Sequence, residues 1–419
     1  MKKLYFLTLI FPAIIFAQSY LISNIPLPKT YIQNLDPYPC DEECLQTYID
    51  NDMIFSFLSY ADSKLENQDQ DDIRMMNISI LNLGSAVITD KIRIALLLPY
   101  KVIGRYALST TNATFAYLIA KNHSFELKSY KIESESVEDI QKALQKISND
   151  GVNYVIAPLT QQGADAVAEI NPQMNVFFPT INKKDVTDTS SYLVYGGIDY
   201  QAQSDLLLKE AISPLVIFYD SSSIGKKLSL YEENQFINAG VHNNLDTVEV
   251  QNKIIDTDKS VVKFSIPKRT TNLERQLSKN KNIVEGSFFI NTPIVKTGMI
   301  MSQLTLYDTN ATNVLSTQIN YDPLVLSMTQ YVDRKNMIIA NSITHNNNIL
   351  IEANSLLGND IVYDWINYTT TVGIDYFFSL ATREDREYNI VLLDNQMVYP
   401  IELLNPARYR FIKYISDHE

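Results

Sequence analysis

The side chains best placed to bind a ligand are hydroxyls, amides and carboxylates that follow predicted β-strands. Apolar runs such as "IRIALLLP" (92–99) have the length and composition of strands buried on both faces of a parallel sheet, and polar residues come directly after them. Such groups, with the unpaired N–H groups of helix N-termini, are what an amino acid or a similar small polar ligand requires. The candidate ligand-binding residues are Tyr100, Thr160, Gln161, Thr180, Asn182, Asp220, Ser221, Asn291 and Asn341.

The same residues have a second interpretation. Turns from a strand into a helix need Ser, Thr, Asn or Asp to cap the helix, whether or not a ligand is present. Because parallel α/β sheets bind ligands at the carboxyl ends of their strands, both interpretations place these residues at the same edges. The sequence leaves the two open.

Motifs of known enzyme classes are missing from the sequence. The four histidines stand apart in polar stretches without an HExxH pair, there is no G-x-S-x-G, and "SSSIGKK" lacks the leading Gly of a phosphate-binding loop. Runs of carboxylates such as "SESVEDI" are typical of solvated helix faces. The sequence therefore favours a protein without catalytic activity, cofactor or metal centre. The single tryptophan, Trp365, either stacks on a ligand or is buried between lobes.

The only two cysteines, Cys40 and Cys44 in "PYPCDEEC", are spaced one helical turn apart. Their Cα atoms would then lie within disulfide range, so we expect a local disulfide. A redox or metal site is the alternative, although redox pairs favour a two-residue spacer and metal sites need further Cys or His residues. Asp41 is expected to cap the helix that carries Cys44, with two glutamates in the first turn.

The first 17 residues resemble an export signal. Lys2 and Lys3 precede an apolar run that ends at Ala17, and the run is too short for a comfortable bilayer span. We expect cleavage after Ala17, no lipid attachment because no Cys follows, no transmembrane segment in the mature chain, and a periplasmic location. An uncleaved anchor is the alternative.

Charge limits the classes of partner to expect, and one sequence motif suggests a modification. The chain has 419 residues and a formal net charge of −13, so nucleic acid is not an expected partner. The tract "DTNATN" places Asp308 two residues before Asn310 and a Thr two residues after it, which resembles the extended acceptor of bacterial N-glycosylation. Asn310 is therefore a candidate glycosylation site, with an unmodified polar loop as the alternative.

The order of predicted elements indicates an α/β fold with two lobes and a small helical N-terminal extension. Residues 1–17 are the signal peptide, and 18–90 form a Pro-containing arm and helical extension that carries the cysteine pair. Residues 91–200 alternate strands and helices and are predicted to form lobe one, a parallel sheet with right-handed crossovers. Residues 201–419 form lobe two, with strands at "SPLVIFYD", "VVKFSI", "EGSFFINT" and "NMIIANS", and the chain crosses back between lobes.

Several of these tracts resemble a known fold family. "KIRIALLLPYKVIGRYALSTTNATFAYL", "VNYVIAPLTQQGADAVAEI" and "VGIDYFFSLA" are similar to type I periplasmic-binding-protein-like modules. "IALLLP", "APLTQQGADAV", "VIFYDSSSIGKKL" and "LSTQI" are most similar to the C-terminal domain of penicillin-binding protein activators, and branched-chain amino-acid (leucine)-binding proteins share the fold. The resemblance covers about residues 91 to 415.

The resemblance implies a protein that binds rather than catalyses. The loop "PYKVIGRY" has only Gly104 where the family has a Gly-containing loop that approaches a ligand carboxylate. We therefore expect a non-catalytic periplasmic binding module that binds or regulates an envelope protein partner, such as a cell-wall synthesis factor. The alternative is a solute-binding protein that holds an amino acid or similar small polar ligand between its lobes.

Overall fold

The structure is a computed structural model that describes residues 32, 38–61, 64–80, 91–121, 123–187, 190–238, 259–344 and 346–415. The predicted signal peptide and most of the Pro-containing arm lie outside these residues. The chain divides into two compact units. The first comprises the described residues of Met1–Ile92, Phe115–Glu126 and Asn347–Gly358, and the second Arg93–Thr114, Leu127–Asn346 and Asn359–Glu419. The boundaries drawn from the sequence at 17, 90 and 200 stay predictions.

The first unit contains a small group of helices with its own apolar core. Its helices are α1 (Glu42–Asp50), α2 (Ile54–Tyr60) and α3 (Gln68–Ile80). Asp41 caps α1, as predicted, by accepting a bond of 3.0 Å from the Cys44 N–H. Cys40 and Cys44 form the expected disulfide, with Cα atoms 5.3 Å apart. The buried core of this group consists of Leu45, Phe57, Leu58, Ala61 and Ile78.

The first sheet begins with the strand predicted at Ile92. Its strands are β1 (Ile92–Leu98), β2 (Phe125–Lys131), β3 (Tyr154–Ile156), β4 (Asn175–Phe178), β5 (Leu193–Tyr195), β11 (Val391–Leu393) and β12 (Gln396–Val398). They are ordered β11-β12-β5-β4-β3-β1-β2. Strands β1, β3, β4, β5 and β12 pair in parallel, with Ile94 opposite Tyr154, and β11 pairs antiparallel to β12. Two strands from the end of the chain therefore complete this sheet.

Within the described ranges, five helices accompany the first sheet. They are α4 (Tyr100–Ile103), α5 (Tyr106–Ala120), α6 (Val137–Asn149), α7 (Gln161–Ile170) and, late in the chain, α15 (Trp365–Thr382). The apolar residues of α6 share one face by their helical spacing, and Ile140, Leu144 and Ile147 are all buried in the sheet core. Helix α15 packs against β3, where the Phe377 ring lies 5.2 Å from the Tyr154 ring.

The Gly-x-Asp centre of "VGIDYFFSLA" is explained by packing. A Cβ atom on Gly373 would lie 2.2 Å from the ring of Phe177, so only glycine lets α15 approach β4 this closely. Asp375 is fully buried and accepts backbone N–H bonds from Glu387 (2.8 Å) and Tyr388 (3.2 Å). It therefore fixes the chain that leads from α15 into β11.

The second sheet has the same parallel centre. Its strands are β6 (Leu215–Tyr219), β7 (Val261–Ser265), β8 (Ser287–Asn291), β9 (Asn313–Ser316), β10 (Met337–Asn341), β13 (Glu402–Pro406) and β14 (Phe411–Lys413), in the order β14-β13-β10-β9-β8-β6-β7. Neighbouring strands in the run β10-β9-β8-β6-β7 pair in parallel. Strand β13 is antiparallel to both β10 and β14. Its helices are α8 (Tyr200–Leu208), α9 (Ser223–Asn238), α10 (Glu274–Leu277), α11 (Ile294–Leu306), α12 (Leu324–Met328) and α13 (Tyr331–Arg334). Helix α14 (Asn348–Leu356) belongs to the first unit.

The last strands of the chain are shared between the two sheets. Asp394 and Asn395 form the turn between β11 and β12, and both residues have positive φ angles. The tract "MVYPIEL" is divided at Pro400, which has no N–H to donate: β12 stays in the first sheet and β13 joins the second. Strand β9 was not predicted, because it is only four residues long and carries two apolar side chains.

The two sheets with their helices confirm the predicted two-lobed α/β architecture. In the described part of the chain, no helix combines the length and the apolar character needed to cross a membrane.

Candidate ligand-binding cleft

A cavity of about 670 Å³ lies where the carboxyl ends of strands from both sheets meet. Parallel α/β folds bind ligands at these ends, and the volume is in the range of small-molecule sites. The residues that line it are polar, charged or aromatic for the most part. They are Arg105, Tyr106, Thr180, Asn182, Asp185, Ile198, Tyr200, Ile224, Gln318, Ile319, Tyr321, Asp322, Pro323, Asp360, Tyr363, Asp364, Trp365 and Ile366.

The loop after β1 brings a cation and a phenol to the cavity. After the single turn α4, Gly104 takes a φ of +55°, a left-handed conformation that favours glycine. The turn places Arg105 and Tyr106 in the lining, with the guanidinium 5.3 Å from the Tyr106 ring centre. The hydrogen bond to Tyr106, and then the nearby Asp364 carboxylate, raise the pKa of Arg105. The loop that seemed poor for ligand approach therefore supplies two cavity residues.

The ends of β4 and β5 are held together at Asn182. Its side-chain amide donates to the carbonyl oxygens of Gly197 (3.2 Å) and Ile198 (3.3 Å). A Cβ atom on Gly197 would lie 2.4 Å from the Asn182 nitrogen, so this close approach requires glycine. The nearby Thr180 hydroxyl donates to the Leu159 carbonyl at 3.1 Å, and the Thr180 side chain is exposed.

The N-terminus of α15 forms another side of the cavity. Asp364 caps this helix by accepting N–H bonds from Ile366 (2.9 Å) and Asn367 (3.3 Å), and burial raises the pKa of its carboxyl. Trp365 is half-buried: its ring lies edge-on to Tyr399, with centroids 4.7 Å apart, and it also lines the cavity. Both interpretations of this tryptophan from the sequence are therefore compatible with its position.

The segment after β9 closes the cavity from the second lobe. Gln318 is 6% exposed, and its side-chain oxygen accepts the Ser342 N–H at 2.6 Å, whereas its Nε2 atom has no hydrogen-bond partner among the described residues. In the turn that precedes α12, Asp322 accepts the Leu324 N–H at 2.8 Å. The Tyr321 ring lies 5.2 Å from a second lining ring, that of Tyr363.

Tyr200 and Asp185 also line the cavity. Burial, and then the neighbouring Tyr106, raise the pKa of Tyr200 to about 12, so its phenol keeps its proton at neutral pH. Asp185, from the first lobe, forms an ion pair with Lys227 on α9 of the second lobe. This pair offsets the negative charge of Asp185.

Of the nine ligand-binding candidates, the structure brings Thr180 and Asn182 together in the cavity lining. The other first-lobe candidates lie outside it. Tyr100 is exposed, with Lys131 Nζ 5.0 Å from its ring centre; the Thr160 N–H and hydroxyl donate to Glu135. Gln161 donates to the Asp185 carbonyl at 2.6 Å, although its own side chain is not part of the lining.

The second-lobe candidates make contacts within their own lobe. Asp220 accepts the Ser222 N–H at 3.1 Å, and Ser221 is exposed. Asn291 is buried and donates to Glu232 at 2.6 Å. Asn341 both donates to the Ile343 carbonyl and accepts its N–H at 2.9 Å. As ligand-binding residues, these four, Tyr100, Thr160 and Gln161 stay predictions, and their contacts are those of turns and caps.

Sequence reasoning missed most of the residues that line the cavity. Gln318, Tyr321 and Asp322 follow β9, the strand that was not predicted, although "LSTQI" was among the tracts quoted for the family resemblance. Arg105 stands one residue after the only glycine of its loop, which is a signal that could have found it. Asp364 carries a signal too, because an Asp before an apolar helix is a typical N-cap.

Two other predictions concern sites away from the cavity. Asn310 is exposed between α11 and β9, where a modifying enzyme could reach it, and its glycosylation stays a prediction. Among the described residues, no group of three His, Cys, Asp or Glu side chains is arranged to hold a metal ion.

No family model and no curated protein matches this sequence. Solved structures do. The LivJ substrate-binding protein of a Streptococcus pneumoniae branched-chain amino acid transporter, solved with isoleucine, matches at a TM-score of 0.54 and 9% identity over 77% of this chain and 98% of its own. A solute-binding protein of a Rhodopseudomonas palustris ABC transporter, solved with 3,4-dihydroxybenzoic acid, matches at a TM-score of 0.53 and 14% identity. The match covers 78% of this chain and 99% of that protein.

A third similar structure is LpoA of Haemophilus influenzae, a penicillin-binding protein activator. It matches at a TM-score of 0.50 and 10% identity, over 83% of this chain and 64% of LpoA. At these identities the likeness concerns the fold alone. The protein has the type I periplasmic-binding-protein-like fold that its sequence tracts predicted.

Proposed function

We propose that this protein is a non-catalytic, exported binding protein whose cleft between the lobes takes a small polar ligand. The observation that carries the proposal is the cavity of about 670 Å³ at the carboxyl ends of both sheets. Its lining combines donors, acceptors and aromatic rings from both lobes, as expected of a site that closes on a solute. The similar structures solved with isoleucine and with 3,4-dihydroxybenzoic acid support a solute of this size.

A thermal-shift screen with a broad panel of amino acids, amines, amides and aromatic acids tests the proposal. A ligand at 100 times its dissociation constant adds about 2.7 kcal/mol to the stability of the folded state. For a chain of this size the unfolding midpoint should rise by several degrees. A panel that produces no shift at all contradicts the proposal.

A matched pair of variants on α9 locates the binding. Ile224 is partly exposed and lines the cavity, whereas Leu230 is exposed on the same helix and does not. Ile224→Trp should fill part of the cavity and remove the ligand-dependent shift, and Leu230→Trp should keep it. Equal shifts in both variants would place the ligand elsewhere.

A second candidate function is binding of an envelope protein partner, such as a cell-wall synthesis factor. The observation that favours it is a set of exposed apolar side chains in the first unit: Met53, Phe55, Met75 and Met76 are 47–64% exposed. Exposed apolar groups of this kind often mark surfaces for protein binding. The fold likeness to LpoA is compatible with it.

Cross-linking in envelope preparations tests the second candidate. Replacing Phe55 and Met75 by serine should remove a specific cross-linked partner, whereas replacing Leu306, an equally exposed apolar residue of the second unit, should not. If both variants retain the same partner, this surface is not its binding site.

A further inference from the structure

The charged residues of the cavity are mainly acidic. Asp185 is already paired with Lys227. The remaining charged groups of the lining are the carboxylates of Asp322, Asp360 and Asp364 and the guanidinium of Arg105. Three negative charges therefore face one positive charge, and that positive charge already interacts with Asp364. A free carboxylate entering this cavity would meet net repulsion, whereas a cation would be attracted.

The three carboxylates are held in fixed orientations. Each accepts backbone N–H bonds of 2.7–3.3 Å from residues two or three positions later in the chain, and in every case the acceptor is Oδ1. Among the described residues, none donates a hydrogen bond to the Oδ2 atom of Asp322, Asp360 or Asp364. These oxygens remain available to accept a bond from a ligand.

The lining also contains five aromatic rings, those of Tyr106, Tyr200, Tyr321, Tyr363 and Trp365. The faces of such rings attract organic cations, and tryptophan does so most strongly. Tyr321 and Tyr363 form a pair with ring centres 5.2 Å apart. Carboxylates beside aromatic rings suit an ammonium group on an apolar body better than a strongly hydrated metal ion.

Gln318 adds an independent observation. Its side chain is more than nine-tenths buried and lines the cavity, and within the described part of the chain its Nε2 donor has no partner. A buried donor without a partner destabilises the folded protein, and a ligand acceptor oxygen would relieve that cost. A carbonyl or hydroxyl oxygen on the ligand would serve without adding negative charge.

We infer that the cleft binds an organic amine: a ligand with an ammonium group, an apolar or aromatic body and a neutral acceptor oxygen, and without a free carboxylate. The inference rests on the proposed solute-binding function and names its ligand class. The ammonium group lies among the three carboxylates, the body stacks on the rings, and the acceptor oxygen faces Gln318.

The test uses ligand series that differ only in charge. Tyramine, tyrosine and 4-hydroxyphenylacetate share one ring and are a cation, a zwitterion and an anion; phenylalaninamide and phenylalanine form a second pair. Trp365 is the only tryptophan in the chain, so its fluorescence reports binding in the full-length protein. Tyramine and phenylalaninamide should bind at least tenfold more tightly than the zwitterions, and the anion most weakly.

Matched variants test the role of charge. Asp322→Asn, Asp360→Asn and Asp364→Asn each retain an oxygen that can accept the backbone N–H bonds, so the two turns and the α15 cap are kept. Each should weaken tyramine binding about fivefold, the effect of roughly 1 kcal/mol. Arg105→Gln should instead strengthen tyramine binding, and Asp165→Asn, an exposed carboxylate of α7 outside the lining, should leave it unchanged.

The outcomes separate this inference from the function on which it rests. Tighter binding of tyrosine, phenylalanine or 4-hydroxyphenylacetate than of the amines, with Ile224→Trp abolishing it, overturns the amine preference and leaves the solute-binding cleft intact. Asp→Asn variants that bind tyramine as tightly as the native protein also overturn it. If the broad thermal-shift panel yields no ligand of any charge, the proposed function itself fails.

Discussion

Replacing Glu232 tests the electrostatics of the second lobe most directly. This α9 residue is fully buried, with its carboxyl oxygens 3.2 Å from the Ser204 hydroxyl and 2.6 Å from the Asn291 amide nitrogen. Burial raises the pKa of Glu232 well above its ordinary value of 4.5, because the carboxylate would lose its hydration; the two hydrogen bonds oppose the shift only in part.

The direction of the effect follows from proton linkage. Below pH 4.5 the carboxyl is protonated in both the folded and the unfolded chain, so its ionisation does not lower the free energy of unfolding. As the pH rises above 4.5, the unfolded chain gains stability by losing this proton, whereas the folded chain retains it. The free energy of unfolding therefore falls with rising pH until the pH reaches the raised pKa of folded Glu232.

The variant Glu232→Gln removes the titrating group and keeps a side chain of similar shape. Relative to the native protein, its unfolding free energy should increase by about 1.4 kcal/mol for each pH unit within that window. This dependence on pH distinguishes the charge effect from the loss of an ordinary hydrogen bond, which would change the unfolding free energy by about 1 kcal/mol at every pH.

Urea unfolding followed by circular dichroism, in half-unit steps from pH 4 to pH 8, measures this difference. Glu233→Gln is the control: it removes the neighbouring carboxylate of the same helix, which pairs with Lys263 near the surface. A difference between the Glu232→Gln and native proteins that stays constant from pH 5 to pH 7 would refute the reasoning, since Glu232 would then ionise normally in the folded chain.

Three further predictions concern packing and hydrogen bonding. Gly373→Ala should lower the unfolding free energy by about 1–3 kcal/mol in chemical denaturation despite the higher helix propensity of alanine, because its Cβ overlaps the Phe177 ring; an unchanged midpoint would contradict this. Arg334→Met should cost about 1–3 kcal/mol in the same assay, because the buried guanidinium donates to backbone carbonyls of the turn between β13 and β14. Gly197→Ala should displace Asn182 and weaken ligand binding in the cleft, as measured by Trp365 fluorescence; native affinity in this variant would show that the close approach is not needed.

Much of the fold could be predicted because the relevant signals are local. The apolar run that forms β1, the buried face of α6, the cap at Asp41 and the cysteine pair each occupy a short segment, so neighbouring residues are enough to specify them. Strand β9 was missed because its signal is not local. It is short and receives its stability from β8 and β10 on either side, and those contacts leave no pattern in its own residues.

The candidate site was predicted only in part. The rule that ligands bind at the carboxyl ends of strands led to Thr180 and Asn182, which line the cavity, and their role in ligand binding stays a prediction. The rule could not decide which strand-end residues face the cavity and which are used by their own lobe. Asn291 and Asn341 are the last residues of two central strands, yet Asn291 donates to the buried Glu232 and Asn341 bonds the backbone of Ile343.

The sequence by itself determined the two series of strands and helices and the edges at which a ligand would bind, because hydrophobic period and capping act over a few residues. Only the tertiary structure decided the chemistry of the cleft. Arg105, Gln318 and Asp364 come from three distant parts of the chain, and they share one cavity because strand order and chain crossings bring their loops together. The net negative charge that they and their neighbours create is a property of this assembly, and no single segment carries it.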